Sequence, residues 1–483
     1  MSRADFTVLL PLLITSAAAI VMMIAIAIRR NHQVTAAISF AGLAASLASL
    51  PSAASAVPRQ VTRLLILDSY SLLYMAILLC AAIFVLLFAY DYLKRRQEYR
   101  EEFYLLVLLA TTGAMVLVAS RHFVSFFLGL ELLSVALYVL ISYVRTESTS
   151  IEAGIKYLIL AASSSSILLF GLALIYAGSG SMDLSQFAAM MNRTAGPGNT
   201  ILLLTGLMLV LTGVGFKLAV VPFHLWTADV YEGAPLPVTA FIATVSKGGM
   251  FALFLRWFHV PDVGLAGVPG LVLSIIAIAS MLTGNLLALR QTNVKRILAY
   301  SSIAHMGYFL VALLAGGALG APAATYYLTA YLATILGAFG LMTVLSDPQR
   351  EAASIGDYRG LFWRRPLVAA AFTTMLLSLA GIPLTAGFLG KFYIIAAGAS
   401  QSRWVLLFTL VLSSTIGLFY YLRILVAMYS QPGDIGPEKD SRLSRLPLQA
   451  TVALAALTCL VFLLGIYPAP FWNAIIAVTR DLG

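Results

Sequence analysis

Apolar residues run along this chain in long blocks separated by short polar stretches. Each block is about as long as the roughly 20 residues that carry a helix across a bilayer. The pattern predicts fourteen spans, at about 6–28, 34–51, 69–90, 103–120, 122–143, 153–177, 200–222, 235–258, 268–289, 297–315, 323–345, 366–397, 404–428 and 448–470. The first block reads as a retained span, because no small-residue cleavage site follows it. No connection between blocks exceeds about 20 residues, which leaves no room for a soluble catalytic domain. The expected fold class is an all-α integral membrane protein.

Two blocks carry a proline in their interior. The seventh reads "KLAVVPFHLW", with Pro222, and continues through 223–231. The twelfth reads "LAGIPLTAGFLGKFY", with Pro383. An interior proline removes a backbone donor and collides with the preceding turn. A helix broken at membrane depth survives only inside protein or beside a wet cavity. Five spans separate the two breaks, and an odd number inverts orientation. The order therefore predicts two inverted five-span repeats, each with one broken helix, an architecture of transporters. The expected organisation is a three-helix group over 1–102, a repeat over 103–265, its inverted counterpart over 266–430 and a last helix over 431–483.

Composition agrees with this pattern. The chain is 61% hydrophobic and 10% charged, where soluble proteins carry about 25% charged residues. The net charge of +10 would suggest nucleic acid in a soluble protein, but here the basic residues lie between apolar spans and set topology. Lys and Arg number 18 in the odd-numbered connections and 8 in the termini and even-numbered ones. The odd connections, including 91–101 and 434–447, are thus expected in the cytoplasm and both termini on the opposite side of the membrane. Cys80 and Cys459 lie far apart without a CxxC, which excludes a cysteine-held iron–sulfur cluster and a disulfide framework. Both are expected to be buried packing residues.

Four charges remain at membrane depth: Glu131 in "FFLGLELLSVALYVL", Lys217, Lys247 and Lys391. Each costs about 2.5–3.5 kcal/mol at a helix centre. Snorkelling to the surface fits Lys247 poorly, since about twelve residues separate it from either end of its span. A fixed ion pair of Glu131 with Lys217 would account for two charges and leave the other lysines without an acid. A lysine in an apolar setting without a permanent partner gives up its proton more easily, and a nearby carboxylate reverses this. One acid and several lysines can therefore pass protons stepwise. Two glycines after Lys247, in "VSKGG", would loosen the backbone around it.

Polar residues at depth are candidates to hold connecting water: Ser134, Ser163 to Ser166, Thr212, His224, Thr244, Ser246, Ser301, Ser302 and His305. Singly, such residues also serve as helix–helix hydrogen bonds. His305, in "AYSSIAHMGYF", stands out because histidine titrates near neutrality. Asp229 and Glu232, in "DVYEGAP", read as proton-collecting groups or as solvated turn residues. The chain has no Walker motif, HExxH, GxSxG or GxGxxG.

The stretches "FKLAVVPFHLWTADVYEGAPLPVTAFIATVSKGG", "LGLELLSVALYVL", "NVKRILAYSSIAHMGY" and "LAGIPLTAGFLGKFY" resemble the subunit N family of the proton-pumping NADH-quinone oxidoreductase, respiratory complex I. The resemblance covers nearly the whole chain. It implies fourteen spans, two inverted repeats and a proton path along the middle plane of the membrane. It also implies Glu131 as the acid beside the broken helix, Lys217 as its partner, Lys247 as the central proton carrier and Lys391 as the residue nearer the exit. Partners would be the other membrane subunits of that complex, the lipid bilayer and protons. NADH, FMN, iron–sulfur clusters and the quinone site would belong to other subunits, with no cofactor or metal in this chain. Ala228 departs from the family, which usually has proline there, and the departure concerns loop geometry. Two alternatives stand beside this reading: a subunit of a multi-subunit cation/proton antiporter, and a static membrane scaffold.

Overall fold

A computed structural model of the chain describes residues 2–96, 99–184, 197–258, 267–347, 349–431 and 447–480. Its helices are α1 (Arg3–Ile28), α2 (His32–Ala54), α3 (Ser69–Arg96), α4 (Glu101–Ala119), α5 (Phe123–Ile141), α6 (Ser148–Ser179), α7 (Pro197–Leu218) and α8 (Trp226–Gly233). They continue with α9 (Leu236–Phe258), α10 (Val268–Leu289), α11 (Val294–Ala315), α12 (Gly317–Leu345), α13 (Pro366–Ala380), α14 (Ala386–Ser400), α15 (Trp404–Tyr429), α16 (Leu448–Ile466) and α17 (Ala469–Thr479). Among the described residues, thirteen of these are long and apolar enough to cross a membrane. The twelfth predicted span is the exception. It consists of α13 and α14, two helices of 15 residues each, joined by a break at 381–385.

Burial separates a central group from a rim. In its most apolar stretch α9 is 100% buried, α11 94% and α12 83%, whereas α1, α2, α6, α10 and α16 are 33–39% buried. A charge at depth is kept from lipid by facing the bundle interior, and on α9, which carries Lys247, every side does so. Glycines let the neighbours of α9 approach. A Cβ at Gly248 would meet Leu78 Cδ2 of α3 at 2.9 Å, and one at Gly249 would meet Ala114 of α4 at 3.1 Å. These glycines therefore serve close packing rather than the loosening expected from the sequence. The irregular backbone lies on the other side of Lys247, in a π-helical turn over Ile242–Ser246. One such turn inserted in an α-helix frequently marks a functional position.

Both expected breaks are present. α7 stops at Leu218, and Ala219 takes a positive φ of 61° before Pro222. The Phe216 carbonyl accepts both the Ala219 N–H and Trp226 Nε1, each at 3.0 Å, and Ser280 Oγ of α10 accepts the Val221 N–H at 2.9 Å. α13 stops at Ala380, where Gly381 has φ 85° and its N–H returns to the Leu377 carbonyl. A side chain on Gly465 of α16 would strike the Leu384 carbonyl, so this break also packs against backbone.

Ion pairs sort by end of the bundle. At one end Arg30 meets Glu102, Arg96 meets Glu147, Lys156 and Arg296 meet Asp229, Arg296 meets Glu232, and Lys295 meets Glu351. These residues all belong to odd-numbered connections or the helix turns beside them. At the other end lie Asp5 with Arg59, Arg121 with Asp183 and Asp68 with Arg256. The basic residues Arg193, Lys439, Arg442 and Arg445, the connection 434–446 and the boundary at 265 lie outside the described residues.

Three features depart from expectation. A small antiparallel hairpin, β1 (Arg59–Val61) with β2 (Leu65–Leu67), fills the second connection. The last block is two helices, because Tyr467–Pro468 ends α16 and α17 turns back to stack Trp472 on Tyr393. Cys80 and Cys459 are exposed on the outer face of the bundle rather than buried in its core. A thiol is apolar enough to face lipid, so hydropathy alone does not tell core from rim in a membrane chain.

Candidate functional site

Lys247 and His305 lie on the enclosed helices α9 and α11, and Glu131, Lys217 and Lys391 lie on α5, α7 and α14. Lys217 sits in the last turn of α7, just before its break, and is 3% exposed. Its Nζ donates to Ser134 Oγ of α5 at 3.0 Å and to Tyr157 OH of α6 at 3.1 Å, and it lies over the Tyr157 ring. Glu131 is one turn before Ser134 on the same face of α5. Its charge is within electrostatic reach of Lys217, Tyr138 and Tyr157, yet its Oε1 is buried without a hydrogen-bond partner. The fixed ion pair of the static alternative is thus not formed, since Lys217 reaches hydroxyls instead.

Lys247 follows the π-turn and is fully buried. Its Nζ donates to Ser302 Oγ of α11 at 2.6 Å and lies over the ring of Tyr231. Ser302 also receives Tyr331 OH of α12 at 2.7 Å and is 3.5 Å from Tyr231 OH. Tyr231 in turn is within electrostatic reach of Tyr157, the partner of Lys217. Lys247 is thereby joined to two tyrosines through one serine, and Tyr231 stands on the side of Lys217.

His305 is one turn beyond Ser301 and Ser302 on α11, at spacings that put all three on one face. Its Nδ1 pairs with Tyr327 OH at 2.6 Å and its Nε2 with Tyr421 OH at 3.3 Å, and Tyr421 also bonds Ser301. The His305 ring lies 5.1 Å from that of Tyr331 and 5.4 Å from that of Tyr308. Tyr308 OH is held by Asn285 and Ser413, and Lys391 lies over its ring. From Ser302 to Lys391 the line is carried partly by ring contacts rather than by an unbroken chain of hydrogen bonds.

Lys391 follows its break on α14. Its Nζ donates to the carbonyls of Leu379 at 3.0 Å and Ala380 at 2.8 Å, and to Ser414 Oγ at 2.7 Å. Those carbonyls have no partner within α13 because the helix ends there.

Of the other polar candidates, only Ser134, Ser301 and Ser302 join this line. Ser163, Ser166, Thr212 and Thr244 bond back to their own helices, and Ser163 and Ser166 face outward. Ser164 reaches the Gly213 carbonyl, Ser165 lines a small cavity with Lys217, and Ser246 is buried in the π-turn. His224 lies in the break after α7 with Nδ1 unpartnered. The tyrosines, Asn285 and Ser414 were not singled out from the sequence. Three tyrosines recurring in "TYYLTAY" are the signal that could have found Tyr327 and Tyr331.

Asp229 and Glu232 are ion-paired rather than free. Burial pushes the Asp229 carboxyl up, but hydrogen bonds from Lys156 and Arg296 outweigh this and hold it below its ordinary value. Among the described residues, no three His, Cys, Asp or Glu side chains converge as a metal site.

A membrane bundle with two broken helices and lysines strung between them defines a class of ion-translocating subunits. Residues 120–417 match the transmembrane family of NADH:quinone oxidoreductases and Mrp antiporters. The chain is 47% identical over 469 residues to NADH-quinone oxidoreductase subunit N of Ectopseudomonas mendocina, covering 96% of this chain and 94% of that one. It is 46% identical over 478 residues to subunit N of Methylococcus capsulatus, covering 98% and 95%. A chain of respiratory complex I from Thermus thermophilus superposes with a TM-score of 0.80 at 31% identity, over 96% of this chain and 99% of that one. A chain of the Mrp complex from a Dietzia species superposes at 0.86 with 22% identity, over 100% and 98%, a likeness of fold alone. The chain belongs to the NADH-quinone oxidoreductase subunit N family.

Proposed function

We propose that this chain is a proton-translocating subunit in the membrane arm of an NADH-quinone oxidoreductase. Electron transfer from NADH to quinone takes place in its partner subunits, which hold FMN and the iron–sulfur clusters. The observation that carries the reading is the line of three buried lysines, each bonded to neutral groups instead of a permanent acid. Neutral partners suit a lysine that changes its charge, because neither state is left facing a fixed opposite charge.

In this reading Glu131 and Lys217 form the first station and Lys247 the centre. His305 and its tyrosines pass the proton on, and Lys391 lies nearest the exit. The two halves, 103–265 and 266–430, act as inverted repeats. Lys217 before one break and Lys391 after the other support that inversion. The end with Lys295, Arg296 and Glu351 faces the cytoplasm of a bacterial inner membrane, and the termini face the other side.

Purification from native membranes tests the assignment. NADH-oxidising peripheral subunits should co-purify with this chain. Co-purification with cation-antiport partners and no NADH oxidation would overturn it.

A further inference from the structure

Glu351 lies in the connection between α12 and α13, outside the line of lysines. Its side chain is 12% exposed and is engaged by three helices. Tyr92 OH of α3 donates to it at 2.7 Å, the Leu236 N–H that opens α9 at 3.0 Å, and Lys295 Nζ of α11 at 2.6 Å. Arg96 of α3 stands 3.9 Å away. Lys295 also donates to the Ala234 carbonyl just before α9, at 2.7 Å. The connection itself is pinned to the start of α11 by the Val294 N–H on the Ala353 carbonyl and the Ile355 N–H on that of Thr292.

One carboxylate thus fastens the beginnings of two helices. Lys247 is eleven residues past Leu236, about three turns, and Ser302 is seven past Lys295, about two turns. These two residues meet at 2.6 Å. Between Leu236 and Lys247 lies the π-turn, where the regular hydrogen-bond ladder of α9 is interrupted. The first N–H groups of a helix have no partner of their own, and Glu351 supplies one from outside.

We infer that Glu351 is a positioning residue: by fastening the start of α9 to α11, it sets the approach of Lys247 Nζ to Ser302 Oγ. The inference rests on the proposed role of Lys247 in proton transfer. Removing the carboxylate leaves the Lys295–Ala234 hydrogen bond but takes away the bridge to the Leu236 N–H, and the resulting shift of the first turn of α9 reaches Lys247 through the irregular backbone of the π-turn. The effect of Glu351 on pumping therefore passes through the Lys247–Ser302 contact.

The test uses the assembled complex in native membranes, with complex content measured alongside NADH-driven proton pumping. Glu351→Ala removes the anchor. Glu351→Gln keeps an acceptor for Leu236 and Tyr92 and removes the charge facing Lys295. Glu351→Gln is expected to lower pumping per complex by roughly three- to tenfold, the scale of coupling within one hydrogen-bonded network, and Glu351→Ala by more. Combined with Ser302→Ala, Glu351→Gln should cost no more than the larger single effect. Losses that multiply would overturn the inference. So would variants that lose complex content while the remaining complexes pump normally. If Glu351→Ala does not assemble, Glu351→Gln with and without Ser302→Ala decides the matter. Lys247→Ala separates the two levels. Normal pumping there removes the proposed function and this inference with it, whereas lost pumping with multiplying Glu351 and Ser302 effects overturns the inference alone.

Discussion

The ammonium of Lys391 donates to the backbone carbonyl of Ala380 at 2.8 Å, across the break between their two half-helices. The C-terminal end of a helix carries about half a negative charge, spread over carbonyls without helical partners. The break at Gly381 therefore creates a site for a cation where no carboxylate is present. This is why a buried lysine and an interrupted helix occur together in the twelfth span.

Gly381 is the most sensitive position of that arrangement. A Cβ there would sit 2.9 Å from Lys391 Cδ and 3.0 Å from its Nζ. The φ of 85° would also cost another residue about 1–2 kcal/mol. Gly381→Ala is expected to push Lys391 off the Leu379 and Ala380 carbonyls. Pumping per complex should fall more than NADH-to-quinone turnover, both measured in membranes of known complex content. Wild-type pumping would show that the contact is dispensable.

Lys217 is held by hydroxyls, so its partners can be removed singly. Tyr157→Phe keeps the ring beneath the ammonium and deletes the 3.1 Å hydrogen bond. A hydrogen bond to a charged group is worth about 1.5–3 kcal/mol, and pumping should fall accordingly. Glu131→Gln and Lys217→Ala should each lower pumping, with the double change costing less than the sum. Strict additivity in proton-pumping measurements would mean that the carboxylate does not act on Lys217.

Acid should loosen the end of the bundle that holds Glu351. Burial pushes this carboxyl up, but the Lys295 ammonium and hydrogen bonds from Lys295, Tyr92 and the Leu236 N–H outweigh it and hold it below the ordinary carboxylate value. A carboxyl lowered on folding contributes stability above its unfolded value of about 4.3, and that contribution is lost as pH falls through the lower folded value. Thermal unfolding of the solubilised complex should therefore depend more steeply on pH below about 4 in the wild type than in Glu351→Gln. Equal slopes would contradict this assignment.

The charges at depth and the two prolines were legible in the sequence, because a lysine or a proline inside an apolar block has no cheap explanation. They located Lys217, Lys247, Lys391, Glu131 and both breaks. The tyrosines that connect them were not legible. A tyrosine counts as apolar in a hydropathy pattern, and whether its hydroxyl meets Ser302 or His305 depends on which helices pack together. The π-turn was equally hidden, since one inserted residue leaves no mark on a block of apolar sequence. The glycines after Lys247 were visible, but what they pack against is a tertiary fact.

Lys247 is the centre of the proposed proton path. It is fully buried and donates to Ser302 at 2.6 Å on the most enclosed helix of the bundle. An arginine in its place keeps a positive charge but cannot release a proton in a protein. NADH-driven proton pumping in membranes with normal complex content, compared among wild type, Lys247→Ala and Lys247→Arg, tests this directly. Both variants are expected to assemble and to lose pumping through this subunit. Near-wild-type pumping by Lys247→Arg would show that the lysine is a fixed structural charge and would contradict the account.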